Sequence, residues 1–185
     1  MKFYVVYAES AVENYVRPGP GINILRRGCL TSEFQYLTHD RLTVSIADEG
    51  GMEFPDFIQT GCIPLISQKF KAVLDNLQVD NLFYKPVRLS CPELGLQEDY
   101  WLALPPRIKC LDLERSQIEV EENEFLTKEE LMRTAVKIVI DSSGVGNYRI
   151  FKLAEVTNQE IIVTEEAKEA LKIAGLDNVN FIALE

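Results

Sequence analysis

The side chains that could carry chemistry in this 185-residue chain are few and widely spaced. His39 is the single imidazole, and beside Asp40 it would need Ser67, Ser90 or a cysteine brought to it through space to make a Ser-His-Asp or Cys-His arrangement. No local spacing supplies such a pair, so His39 reads as an exposed loop residue. Cys29, Cys62, Cys91 and Cys110 contain no Cys-x-x-Cys, and one histidine cannot complete a zinc site. All four read as reduced, mostly buried thiols, and no metal or other cofactor is expected. Ser142-Ser143-Gly144-Val145-Gly146 has the glycines of a phosphate cradle, but it lacks the Gly-Lys-Ser ending and leads into a strand. It reads as a hairpin turn. Asp112 and Ser116, in CLDLERS, fit a structural turn: a strand-ending aspartate accepts backbone N–H groups and the serine closes the loop. Carboxylate pairs suited to acid–base work are unavoidable among 29 acidic residues and specify nothing.

The elements that must hold these side chains are more legible. MKFYVVYAES reads as a first strand, since its apolar run is too short for a secretory signal. Residues 9 to 40, broken by Arg17-Pro18-Gly19-Pro20-Gly21, read as a long surface excursion. From Arg41 to Ala47 apolar and polar residues alternate, as in a half-buried strand. Pro64 suits the first turn of an amphipathic helix, because Ile66, Phe70, Val73, Leu74 and Leu77 recur at three- and four-residue spacing. Pro86 sets the edge of a strand from Val87 to Cys91. YWLAL and, past Pro105-Pro106, IKCLDL form a hairpin-like pair. Arg88 and Arg149, each in an apolar strand, reach solvent or pair with a carboxylate, Asp112 being one candidate. Thr127-Lys128-Glu129-Glu130 is a capping-box pattern for a helix from Lys128 to about Ala135. Thereafter come VKIVID, the loop SSGVGN, YRIFKL, EIIV, a helix from Glu165 to Ala174 between an N-cap Thr164 and a stop at Gly175, and NFIAL. The sum is an α+β fold with mixed or antiparallel sheets and about three helices. It forms a single unit or two lobes of about residues 1–95 and 96–185.

Composition narrows the classes of function. With 46% hydrophobic residues the chain can bury a core without staples or metals. No run of about 18 apolar residues suggests a spanning helix, which makes the cytoplasm the default location and a membrane role unexpected. Nineteen basic against 29 acidic residues give a net charge of −10, which repels phosphate backbones and attracts basic protein surfaces. No nucleic-acid partner is expected. The densest acidic stretch, Glu114, Glu119, Glu121, Glu122 and Glu124, together with Glu98 and Asp99, is the candidate partner-binding surface.

The order PLISQKFKAVLDNL, YKPVRL, YWLAL, IKCLDLERS, YRIFKL and EIIVTEEAKEALKIAGLDNVNFIAL resembles a bacterial immunity-protein family of polymorphic toxin systems, long listed as a domain of unknown function. The resemblance spans about residues 55 to 185, and the first 50 residues carry no matching pattern. It implies a non-enzymatic protein that binds and neutralises a cognate toxin inside the cell that makes both. A toxin that attacks nucleic acid presents a basic cleft, which the net charge would complement. Two other readings stay open: a small-ligand enzyme with Tyr100, Trp101, Arg88 and Asp112 lining a pocket between lobes, and an interaction module, in one form a homodimer joined through an edge strand such as Val87 to Cys91.

Overall fold

The computed structural model describes residues 1–9, 12–32, 34–120 and 133–185. Period-two runs of β-branched and aromatic residues become strands, and two segments with three- and four-residue apolar spacing become the two longer helices. In chain order the elements are β1 (Phe3–Tyr7), α1 (Arg26–Thr31), β2 (Leu42–Ser45), β3 (Phe57–Thr60), β4 (Ile63–Ser67), α2 (Gln68–Asn76), β5 (Phe83–Cys91), β6 (Leu96–Leu104), β7 (Arg107–Ile108), β8 (Gln117–Val120), β9 (Arg133–Lys137), α3 (Ser142–Val145), β10 (Ile150–Leu153), β11 (Ile161–Thr164), α4 (Glu165–Ile173) and β12 (Asn180–Ala183). They build two five-stranded mixed sheets, ordered β12-β1-β11-β10-β7 and β2-β5-β6-β4-β3, and a β8-β9 ribbon. The fold is α+β and mostly sheet.

The two large sheets are built to one plan. Each contains a hairpin (β3-β4 or β10-β11), then a nine-residue helix, then a strand parallel to the hairpin's second strand with one antiparallel strand between them. Ser67 and Thr164 are equivalent N-caps, accepting from the amides of Phe70 and Ala167 at 3.0 and 3.4 Å. After each helix the chain turns through a left-handed residue, Gln78 at φ 56° and Gly175 at φ 59°, into Val79-Asp80-Asn81 and Leu176-Asp177-Asn178. The two asparagines then bond reciprocally: Asn81 Nδ2 donates to Ile150 O at 3.2 Å, and Asn178 Nδ2 to Phe57 O at 3.1 Å. Lys71 lies over the Trp101 ring and Lys168 over Tyr4, the residues paired with Ile66 and Val163. Even the ion pairs correspond, with signs exchanged: Asp56 with Lys69 at 3.5 Å, Arg149 with Glu166 at 2.9 Å. The chain contains an internal structural repeat. The middle strand of the first half, β6, follows β5, whereas its counterpart in the second half is β1, supplied from the start of the chain.

Apolar side chains of both sheets, among them Phe57, Ile66, Ala103, Val6, Ile161 and Val163, meet Phe70 and Leu74 of α2 and Ala167 and Leu171 of α4 in one core. Tyr100, Leu102, Val87 and Leu89 face the opposite side of their sheet, where Val16, Ile22, Leu25, Cys29 and Leu37 cover them. The segment expected as a surface excursion, residues 9 to 40, therefore contributes Val16, Ile22, Leu25, Cys29 and Leu37 to the core. Each of these aliphatic side chains contributes about 1.5–3 kcal/mol by leaving water, which offsets the irregular backbone of a proline- and glycine-rich segment.

Local expectations failed where tertiary pairing overrode a local cue. Pro64 lies in β4 rather than in a helix, at the strand's start and before its ladder to β6 begins at Leu65, so its missing N–H removes no bond there. The helix starts only at Gln68. β6 and β7 are not a hairpin: Pro105-Pro106 carries the chain from one sheet to the other, where β7 runs parallel to β10. Ser142–Val145 is a short helix capped by Asp141, whose carboxylate accepts from the Ser143 amide at 2.9 Å, and not a hairpin turn. The capping box at Thr127 to Glu130 lies outside the described residues, and the expected end of its helix, Arg133 to Ala135, is strand β9. Val87 to Cys91 belongs to a central strand between β2 and β6, so it offers no edge for a homodimer.

Candidate functional site

Two elements position the acidic candidates. Glu98 and Asp99 sit on β6, opposite Leu89 and Arg88 of β5. That register places Asp99 beside a cation: Arg88 Nε and Nη2 donate to its carboxylate at 2.7 and 2.8 Å, with Arg41 3.8 Å away. The bidentate bond from Arg88, reinforced by Arg41, holds the Asp99 carboxyl below the usual carboxylate range and raises Arg88. Asp99 is thus a neutralised charge, and Arg88 pairs with it rather than with Asp112. Arg149 is committed to Glu166.

Glu114 and Glu119 belong to a separate feature. Asp112 Oδ1 accepts from the amides of Glu114 and Arg115 at 3.1 and 3.0 Å, and Ser116 N donates to Asp112 O at 2.9 Å. Ser116 Oγ also exchanges bonds with the Val139 N–H and carbonyl at 3.0 and 3.2 Å. The structural turn expected at CLDLERS is present, pinned to the chain beyond β9, and it presents Glu114 to solvent. Glu119 is exposed on β8, opposite Thr134. Neither carboxylate makes an ion pair among the described residues. Glu121, Glu122 and Glu124 lie outside them, and no hydrogen bond or ion pair joins Glu98 and Asp99 to Glu114 and Glu119.

The residues named for an enzyme pocket do not converge. Tyr100 and Trp101 are neighbours on one strand and therefore face opposite sides of the sheet. Tyr100 is buried and donates from its hydroxyl to Pro55 O at 2.7 Å, whereas Trp101 Nε1 donates to Gln68 Oε1 at 2.9 Å on the helix side. Arg88 and Asp112 are engaged as described. His39 is exposed, with its ring 5.1 Å from that of Phe83. The four cysteines are free, and Cys29, Cys62 and Cys110 are buried. Burial pushes the Cys29 and Cys110 thiols up to about 12, far from the thiolate a nucleophile needs. Among the described residues no three histidine, cysteine or acidic side chains cluster as a metal site.

One buried cation was missed. Lys152, on β10, is 1% exposed, with Gln159 Oε1 3.2 Å from its Nζ. Burial, then the neighbouring Arg107, depress it to about 8. Arg107 in turn donates to the carbonyls of Leu153, Val156 and Leu30 at 2.7, 3.1 and 3.3 Å, tying α1 to the second half. A lysine between apolar neighbours in YRIFKL reads like an outward-facing strand residue, so only the sheet's second covering layer distinguishes it.

The described residues combine two covered sheets with an acidic surface turn. Over residues 13–185 the chain matches the immunity protein family Imm11, and it belongs to that family. The match extends the resemblance from residue 55 back to residue 13 and takes in the segment that covers the first sheet. No curated protein matches the chain. No helix among the described residues is long and apolar enough to cross a membrane.

Proposed function

We propose that this chain is a cytoplasmic immunity protein that binds a cognate basic toxin and neutralises it by occupying its surface, without catalysis. Membership of the immunity family over residues 13–185 carries the reading. The net charge of −10 supports it, since an acidic protein meets a basic cleft faster than a neutral one does. Glu114 and Glu119, exposed and without ion pairs among the described residues, form the contact patch together with Glu121, Glu122 and Glu124. Glu98, beside the arginine-bound Asp99, forms a second acidic contact on β6. The partner is a protein, with neither nucleic acid nor membrane involved.

The test begins with capture from native extract at low and high salt, followed by expression of the eluted protein alone and together with this chain. A salt-sensitive basic protein that arrests growth alone and not in co-expression is the expected result. A captured protein that is harmless alone, or whose toxicity this chain leaves intact, overturns the reading.

A further inference from the structure

The repeated halves differ at a place that bears on binding. In the second half the outer edge of β10 is covered: Lys152 pairs with Arg107 and Leu153 with Ile108 of the parallel β7. The amides of Lys152 and Ala154 donate to the carbonyls of Pro106 and Ile108 at 2.8 and 2.9 Å. In the first half the counterpart of Lys152 is Gln59, and β3 is the last strand of its sheet. Asp56 O accepts from Ser67 N on the β4 side, while Phe57 O accepts from Asn178 on the other. The alternation of an antiparallel ladder then aims the Gln59 N–H and C=O outward. Neither group has a partner among the described residues.

Beside this edge lies an open cleft of about 520 Å³, walled on its far side by Tyr15 to Pro18. Ile58 contributes apolar surface, while Glu9 and Glu49 supply negative charge against a single cation, Arg17, among the described lining residues. The Tyr15 hydroxyl is raised by burial and then by Asp177, Glu53 and Asp56, as a negative local field requires.

We propose that this cleft is a strand-accepting groove, in which an extended basic segment of the toxin partner pairs with the outer edge of β3 as β7 pairs with β10. The proposal rests on the toxin-binding reading above. Backbone pairing supplies affinity, and the carboxylates select a basic side chain. The chain's own precedent, Pro106-Arg107-Ile108, is itself an extended segment carrying an arginine.

The test is an amide-resolved NMR titration of the nitrogen-15-labelled protein with the capped peptide Leu-Pro-Pro-Arg-Ile-Lys, the sequence of residues 104–109. Shifts centred on the Gln59 amide are expected, with their loss in Gln59→Pro, because proline removes an outward N–H and leaves the ladder to β4 intact. Glu49→Lys weakens binding about tenfold, and a peptide with glutamates in place of its arginine and lysine gives no shift. Unperturbed Gln59, or equal binding by wild type and both variants, overturns the groove. Should Gln59→Pro fail to fold, Glu49→Lys decides alone. The growth assay separates the two proposals. A folded Gln59→Pro variant that binds no peptide yet still relieves toxicity overturns the toxin segment as occupant. Peptide binding by a wild-type protein that relieves no toxicity overturns the immunity reading and leaves the groove standing.

Discussion

Lys152 shows how a single side chain couples stability to pH. Its folded value of about 8 lies below the ordinary 10.5, so between those limits the unfolded chain binds the proton and the folded chain does not. Stability on this account rises as pH rises through that window, and below about 8 the full cost of burying the charge is present. Lys152→Met should stabilise the protein at pH 7 by up to about 3 kcal/mol, the equivalent of the displacement. The advantage over wild type should shrink as urea midpoints are followed from pH 8 towards 10.5. Cys29 and Cys110 act oppositely, losing stability as pH rises from 9 towards about 12, and comparing variant with wild type largely removes their contribution. A pH-independent difference would show that the ammonium is better solvated than its burial implies.

Helix capping and strand supply are properties of the repeated elements. Ser67 and Thr164 occupy the same position in the two halves, each with one helix amide on its hydroxyl. Ser67→Ala and Thr164→Ala should therefore each cost about 0.5–2 kcal/mol in chemical denaturation. Ser67 should sit at the upper end, because its hydroxyl also donates to the buried Asp56 at 2.5 Å. β1 opens the chain yet lies between β12 and β11, so it carries two ladders and buries Phe3 and Val6. Phe3→Ala should cost about 3–5 kcal/mol, a loss expected of a core residue and foreign to a terminal one. An unchanged thermal midpoint would place β1 outside the cooperative unit.

Net charge is a property of the whole molecule, and its consequence is kinetic. Reversing charge in the double variant Glu114→Lys, Glu119→Lys should slow association with the captured toxin by about tenfold or more at low salt, with the difference vanishing at high salt. The circular dichroism spectrum should not change, since neither carboxylate makes an ion pair among the described residues. Equal association rates would remove that turn from the contact surface.

The class of fold, the helix from Glu165, the turn at Asp112 and the family itself were all legible in the chain, because capping, alternation and turn chemistry act over a few residues. The repeat was legible too, in Val79-Asp80-Asn81 and Leu176-Asp177-Asn178 following a serine or threonine cap and an amphipathic helix. Its trace is faint, because few other residues in the two segments are alike. Other features depend on contacts between residues far apart in the chain: which segment fills each sheet, that Ile22 and Cys29 are buried against the first sheet, that Asp99 is neutralised by Arg88, and that among the described residues β3 is the last strand of its sheet while β10 is covered by β7. A strand's pattern records that one or both of its faces are covered and not by which segment, so pairing and exposed edges emerge only when the whole chain has folded.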